Sequence, residues 1–127
     1  MKNKIELEYT LNASPKIIYN RLSTPSGLAE WFAEDILIKG NIYTFIWEGS
    51  EQQAELLKIK DNKHVRFRWI EDEECDEDCY FEFKINQDEL TGDVALMITD
   101  FVPDDEKEES IELWDSQIAD LKHALGV

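Results

Sequence analysis

The strongest constraint on what this chain can fold into lies in its first third. Ile5, Leu7, Tyr9 and Leu11 are apolar at every second position, with Glu6, Glu8 and Thr10 between them, which is the period of a half-buried strand. Ser14 can accept from the free amides of a first helical turn, and Pro15 suits the first helical position, where a missing donor costs nothing. Ile17, Ile18 and Leu22 then form one apolar stripe. Thr24-Pro25 repeats the cap-and-proline signal, and Leu28, Trp31 and Phe32 stand at the i, i+3, i+4 spacing of one face of a second short helix ending in an aromatic pair. A strand followed by two helices with apolar stripes needs a sheet on which those stripes can rest.

The residues from Asp35 to Phe101 supply it. Asp35–Lys39 and Ile42–Trp47 flank Gly40-Asn41, a dipeptide suited to a tight hairpin because both residues tolerate positive φ. Glu48-Gly49-Ser50 turns into a strand at Gln52–Ile59, and Asp61-Asn62 turns that into Val65–Ile70. Val65, Phe67 and Trp69 share one face of the latter and Arg66 and Arg68 the other. Phe81, Phe83 and Ile85 alternate with Tyr80, Glu82 and Lys84, which lets Glu82 meet an arginine on the outer face. Leu90-Thr91-Gly92-Asp93 turns into a last strand, Val94–Phe101. About six consecutive antiparallel strands are expected after the helix pair.

At the other end, Ile111, Trp114, Ile118, Leu121 and Leu125 fall at steps of 3, 4, 3 and 4, the stripe of a long amphipathic helix. Asp104-Asp105-Glu106 put negative charge before its start and Gly126 offers a stop after its end. This stripe must lie on one face of the sheet. The expected fold class is therefore α+β, with about seven antiparallel strands and a long C-terminal helix in the order β-α-α-β6-α, as one domain over residues 1–127, a length that suits a single core.

Charge excludes several functions. The 29 acidic against 13 basic residues give a formal net charge of −16, which repels a phosphate backbone and an anionic membrane surface. No apolar run approaches the roughly 20 residues needed to cross a bilayer. Met1-Lys2-Asn3-Lys4 leads into a strand and not into a signal-peptide core, so a cytoplasmic location is expected.

The element order is that of the helix-grip fold, and three segments resemble the START-like (SRPBCC) superfamily, in particular the branch related to the activator of the Hsp90 ATPase. They are Leu11-Asn12-Ala13-Ser14-Pro15-Lys16-Ile17-Ile18-Tyr19, Leu28-Ala29-Glu30-Trp31-Phe32, and Leu113-Trp114-Asp115 through Leu121-Lys122. The match covers nearly the whole chain in order and looks closest to the small bacterial START-like domain proteins. The resemblance implies a curved antiparallel sheet gripping the last helix, with a cavity between them that commonly takes apolar or aromatic small molecules. It permits a chaperone-linked interaction role, and also the ring closures or isomerisations that some members catalyse.

The candidate ligand-binding residues are the inward aromatics and the helix stripe: Phe45, Trp47, Phe67, Trp69, Phe83, Trp114 and Ile118. Trp and Phe walls suit a flat or lipid-like ligand, since they supply burial while a few polar tips fix orientation. The same side chains could equally fill the interior themselves. Trp31-Phe32 is expected to act as a floor-plate of the core near the root of the last helix. Strand alternation leaves Ile42 and Ile46 facing away from Tyr43, Phe45 and Trp47, so one of these faces must be covered by a partner, a second copy of the chain or a long loop.

Metal, cofactor and catalytic sets are not indicated. Cys75 and Cys79 lie in an acidic run without a second Cys or His pair at zinc spacing, and acidic surroundings disfavour the thiolate; free thiols in a solvated loop are expected. That run also lacks the glycine and ligand spacing of a calcium loop. His64 at a turn and His123 near the last helix end have no Ser or Cys in a nucleophile context. Three functions follow: binding of a small apolar ligand; protein interaction, with the acidic surface selecting a basic partner; and cofactor-free cyclase or isomerase chemistry. An enzyme would need a polar residue trapped on an inward strand face, for which Thr44, Thr99 and Tyr43 are the candidates.

Overall fold

The computed structural model describes residues 2–70 and 79–127. Strand β1 (Lys2–Leu11) leads into helix α1 (Pro15–Ser23), which starts as its cap requires: Ser14 Oγ accepts from the Ile17 amide and Pro15 occupies the first turn. Thr24 caps the next helix in the same manner, its Oγ1 accepting from the Gly27 amide at 2.9 Å. That helix, α2 (Pro25–Leu28), is a single turn, shorter than the spacing of Leu28, Trp31 and Phe32 suggests. The Leu28 carbonyl accepts from the amides of Trp31, Phe32 and Ala33 together, so the chain tightens into turns and delivers the aromatic pair from a loop instead of a helix face.

Strands β2 (Asp35–Lys39), β3 (Ile42–Trp47), β4 (Ser50–Lys60), β5 (His64–Trp69), β6 (Phe81–Gln87) and β7 (Val94–Pro103) follow. Among the described residues the sheet has seven antiparallel strands in the order β1-β7-β6-β5-β4-β3-β2. Consecutive hairpins build it from β2 to β7, and β1 then pairs along β7 from Lys2↔Pro103 to Leu11↔Val94. The first hairpin turns on Gly40 alone in positive φ; Asn41 does not adopt it, and Asn62, at the tip between β4 and β5, is the non-glycine residue that does. A register shift between Leu56 and Lys58 bends β4, as an extra unpaired residue does.

A 3-10 turn at Asp104–Glu106 hands the chain to helix α3 (Lys107–Leu125), which packs over β1, β7 and α1 and stops at Gly126 in the left-handed conformation. Trp114, Ile118 and Leu121 are buried beneath it, with Ile111 and Leu125 packed at the edges of the same core. The inward sheet face is apolar almost throughout: Ile5 and Leu11 on β1, Tyr43 and Phe45 on β3, Val65 and Phe67 on β5, Phe81, Phe83 and Ile85 on β6, and Val94, Leu96 and Ile98 on β7 are all buried. This is the α+β helix grip expected from the element order.

The outer face is polar where the arginines lie. Arg66 reaches Glu82 across the β5–β6 pair at 2.8 Å and Arg68 reaches Glu55 on β4 at 3.0 Å. The Arg66 guanidinium also sits 3.9 Å from the centre of the Tyr80 ring, a favourable place for a cation.

Candidate functional site

Phe32 is the hub of the interior. Its ring lies within about 6 Å of six others: Trp31 tilted, Phe45, Phe83 and Trp47 edge-on, and Phe81 and Trp114 stacked, the last at 6.1 Å. Its carbonyl accepts from Trp47 Nε1 at 2.8 Å and from Gln117 Nε2 at 3.4 Å, so one peptide oxygen ties β3 to α3. Trp31 Nε1 donates to the Arg21 carbonyl at 2.7 Å, fastening the loop to α1. The floor-plate role expected of Trp31-Phe32 is what these contacts describe.

All seven candidate ligand-binding residues belong to or touch this core. Phe45, Phe67 and Phe83 are fully buried, and Ile118 and Trp114 are buried on α3. Phe45 contacts Phe67 edge-on at 5.8 Å, and Phe83 meets Trp114 at 5.9 Å. Trp47 and Trp69 differ: both are half-buried, with their rings 6.4 Å apart, and Trp69 stacks on Phe81 at 4.7 Å. The indole N–H groups of Trp31, Trp47 and Trp114 are each held by an internal oxygen. That of Trp69 has no hydrogen-bond partner among the described residues. The site thus has a packed apolar wall and a rim made of two indoles, one of which still carries a donor to offer.

The inward polar residue is one the sequence reading passes over. Thr44 and Thr99 are buried but stand on the outer face: Thr44 accepts from Gln53 Nε2 at 3.3 Å, and Thr99 pairs with Glu82 and Glu6. Tyr43 does face inward, and burial pushes its phenol above the ordinary range. Asp100 shares the inward parity of Leu96, Ile98 and Val102 and accepts from Trp114 Nε1 at 3.0 Å. Its spacing from Leu96 and Ile98 is the signal that could have found it.

Two tyrosines fasten helices to the sheet. Tyr9 on β1 donates to Asp115 on α3 at 2.6 Å, and burial, followed by this bond, lifts its phenol well above the usual value. Tyr19 on α1 donates to Asp61 at the β4–β5 turn at 3.3 Å; its phenol is raised, mainly by burial and then by the Asp61 charge.

The cysteine expectation needs correction at one position. Cys79 is 6% exposed and disulfide-bonded, not a free thiol in a solvated loop, because it stands at the buried entry to β6 and not out in solvent. Cys75 and the rest of the acidic run, residues 71–78, lie outside the described residues. Among the described residues no group of His, Cys, Asp and Glu is arranged to hold a metal ion, and neither the His64 nor the His123 imidazole makes a hydrogen bond. No described helix is long and apolar enough to cross a membrane.

A model of the START-like superfamily domain matches residues 1–127. Among solved structures, the solution structure of BfR322 from Bacteroides fragilis is 41% identical, with 98% of this chain and 91% of that one covered and a TM-score of 0.68. The Aha1 dimer from Colwellia psychrerythraea, at 23% identity, covers 97% and 96% with a TM-score of 0.80. MLL2253 from Mesorhizobium loti, at 18% identity, covers 98% and 97% with a TM-score of 0.77; these last two share the fold. No curated protein matches the chain. With a family model spanning every residue and a 41% identical relative aligned over nearly all of its length, the chain belongs to the START-like superfamily.

Proposed function

We propose that this protein binds a small apolar or aromatic, lipid-like molecule between the sheet and the C-terminal helix, entering at the Trp47–Trp69 rim. The observation that carries the proposal is the contrast between Trp69 and the other three tryptophans. Its ring lies half-buried on Phe81 and its N–H is unused among the described residues, whereas the other indoles are fastened inside. An apolar face beside a single directional donor suits a ligand that is mostly hydrocarbon or aromatic with one acceptor atom. Phe45, Phe67 and Phe83 would form the wall beneath, and Trp114 and Ile118 the roof. Asp100, engaged by Trp114, supports a role in holding α3, so catalysis is not part of the proposal.

A neutral apolar dye such as Nile red tests it without opposing the net charge. Saturable, blue-shifted emission is expected with the wild type. Trp69→Ala should weaken it about tenfold, the loss of some 1.4 kcal/mol, whereas Ile17→Ala on the exposed side of α1 should leave it unchanged. Emission that does not saturate, or that ignores Trp69, would contradict the proposal.

A second role, as a protein-interaction module, is favoured by a specific feature of the outer face. Leu37 and Ile70 are 58% and 48% exposed there.

A further inference from the structure

The outer face of the β2–β3 end is apolar, whereas the part of that face over β5 and β6 carries the paired arginines and glutamates. Leu37 on β2 stands opposite Thr44 on β3, and Thr44 opposite Gln53 on β4. The Ile70 amide donates to the Gln53 carbonyl at 3.0 Å, which extends the row one strand further. Ile42 joins these residues in lining a shallow groove of about 440 Å³. Of its three polar side chains, Gln53 donates to Thr44 and so satisfies it, while Lys39 stands exposed at the end of the groove beside Ile42, on the side away from Asp35, and the floor between them is apolar. From Leu37 to Ile70 the groove crosses three strand spacings, about 14 Å, which is the length of about four extended residues.

Carboxylates flank it. Asp35 and Glu51 bracket Ile46 on the neighbouring rung, with Glu34 and Glu48 at the adjoining strand ends. All four are exposed, and none is in an ion pair among the described residues, whereas Glu55 on the other flank is engaged by Arg68. A second copy of the chain is a poor occupant, because two molecules of net charge −16 would bring identical acidic rims together.

We infer, building on the interaction role, that this groove docks an extended segment of another protein in which apolar residues alternate with lysine or arginine. The apolar side chains would lie on the Leu37–Ile70 floor and the cations against Glu34, Asp35, Glu48 and Glu51. The floor supplies burial, and the charges supply selection and speed of encounter.

The test uses the whole chain and a fluorescein-labelled peptide of alternating lysine and leucine, read by anisotropy at about 0.15 M salt, where surface charge alone is largely screened. Replacing the peptide's leucines with serine, or its lysines with glutamate, should weaken binding about tenfold or more. Amide shifts in 15N spectra should concentrate on residues 34–46, 51–55 and 70. The Leu37→Ser/Ile70→Ser protein, altered only at exposed positions, should keep its near-UV circular dichroism and bind at least about fivefold more weakly. Shifts centred on α3 or β1 would overturn the groove assignment while leaving the interaction role standing. No binding even at low salt would remove both. A concentration-dependent dimer abolished by the double substitution would make a second copy the occupant and overturn the inference.

Discussion

Trp114 combines most of what single residues do here. Its ring stacks on Phe32, meets Phe83 edge-on and uses its N–H on Asp100, so one side chain binds α3 to the loop, to β6 and to β7. Trp114→Phe keeps an aromatic ring and deletes the donor. The expected loss is about 1–2 kcal/mol, the scale of a hydrogen bond to a carboxylate that is only partly buried, read from the urea unfolding midpoint. An unchanged midpoint would mean that Asp100 is equally well served by water. The partnership was half legible in the sequence. Strand parity puts Asp100 on the inward face with Leu96 and Ile98, but its donor arrives from another element, on a helix whose position over β7 no local spacing encodes.

At the scale of elements, the legible parts are those bounded by strong local chemistry. Asp35–Lys39 and Ile42–Trp47 run to the residues expected because Gly40 must turn between them. The segment Leu28–Phe32 was less legible: its apolar spacing suits a helix, yet three amides converge on the Leu28 carbonyl and end it. Contacts between elements were not readable at all, and the strap from Tyr9 on β1 to Asp115 on α3 is an example with a pH signature. Burial and the Asp115 bond keep the Tyr9 proton bound in the folded chain above the pH at which the unfolded phenol, at its ordinary value of 10.0, releases it. The folded state then binds more protons than the unfolded one, so stability falls as pH rises. The contribution is whole below pH 10 and declines above it. Tyr9→Phe should flatten the loss of thermal stability between about pH 9.5 and 11; a slope identical to that of the wild type would show that the strap adds nothing.

For the molecule as a whole, the helix grip follows from element order, and the membership of the seven candidate residues in one aromatic core follows from their periodicity. Whether such a core admits a guest does not. That depends on how far Phe32 and α3 settle onto Phe45, Phe81 and Phe83, and packing at ring-to-ring distance is decided by the assembled elements and not by any one of them. Trp47 and Trp69, both half-buried, mark the proposed entry for a guest. Native mass spectrometry of freshly purified protein, beside the same preparation of Trp69→Ala, tests it most directly. A fraction of wild-type molecules should carry one extra small-molecule mass, extractable into organic solvent, and a much smaller fraction of the variant should do so. Wild-type protein found only at its bare chain mass, and still so after incubation with a mixture of apolar cell extractables, would contradict it.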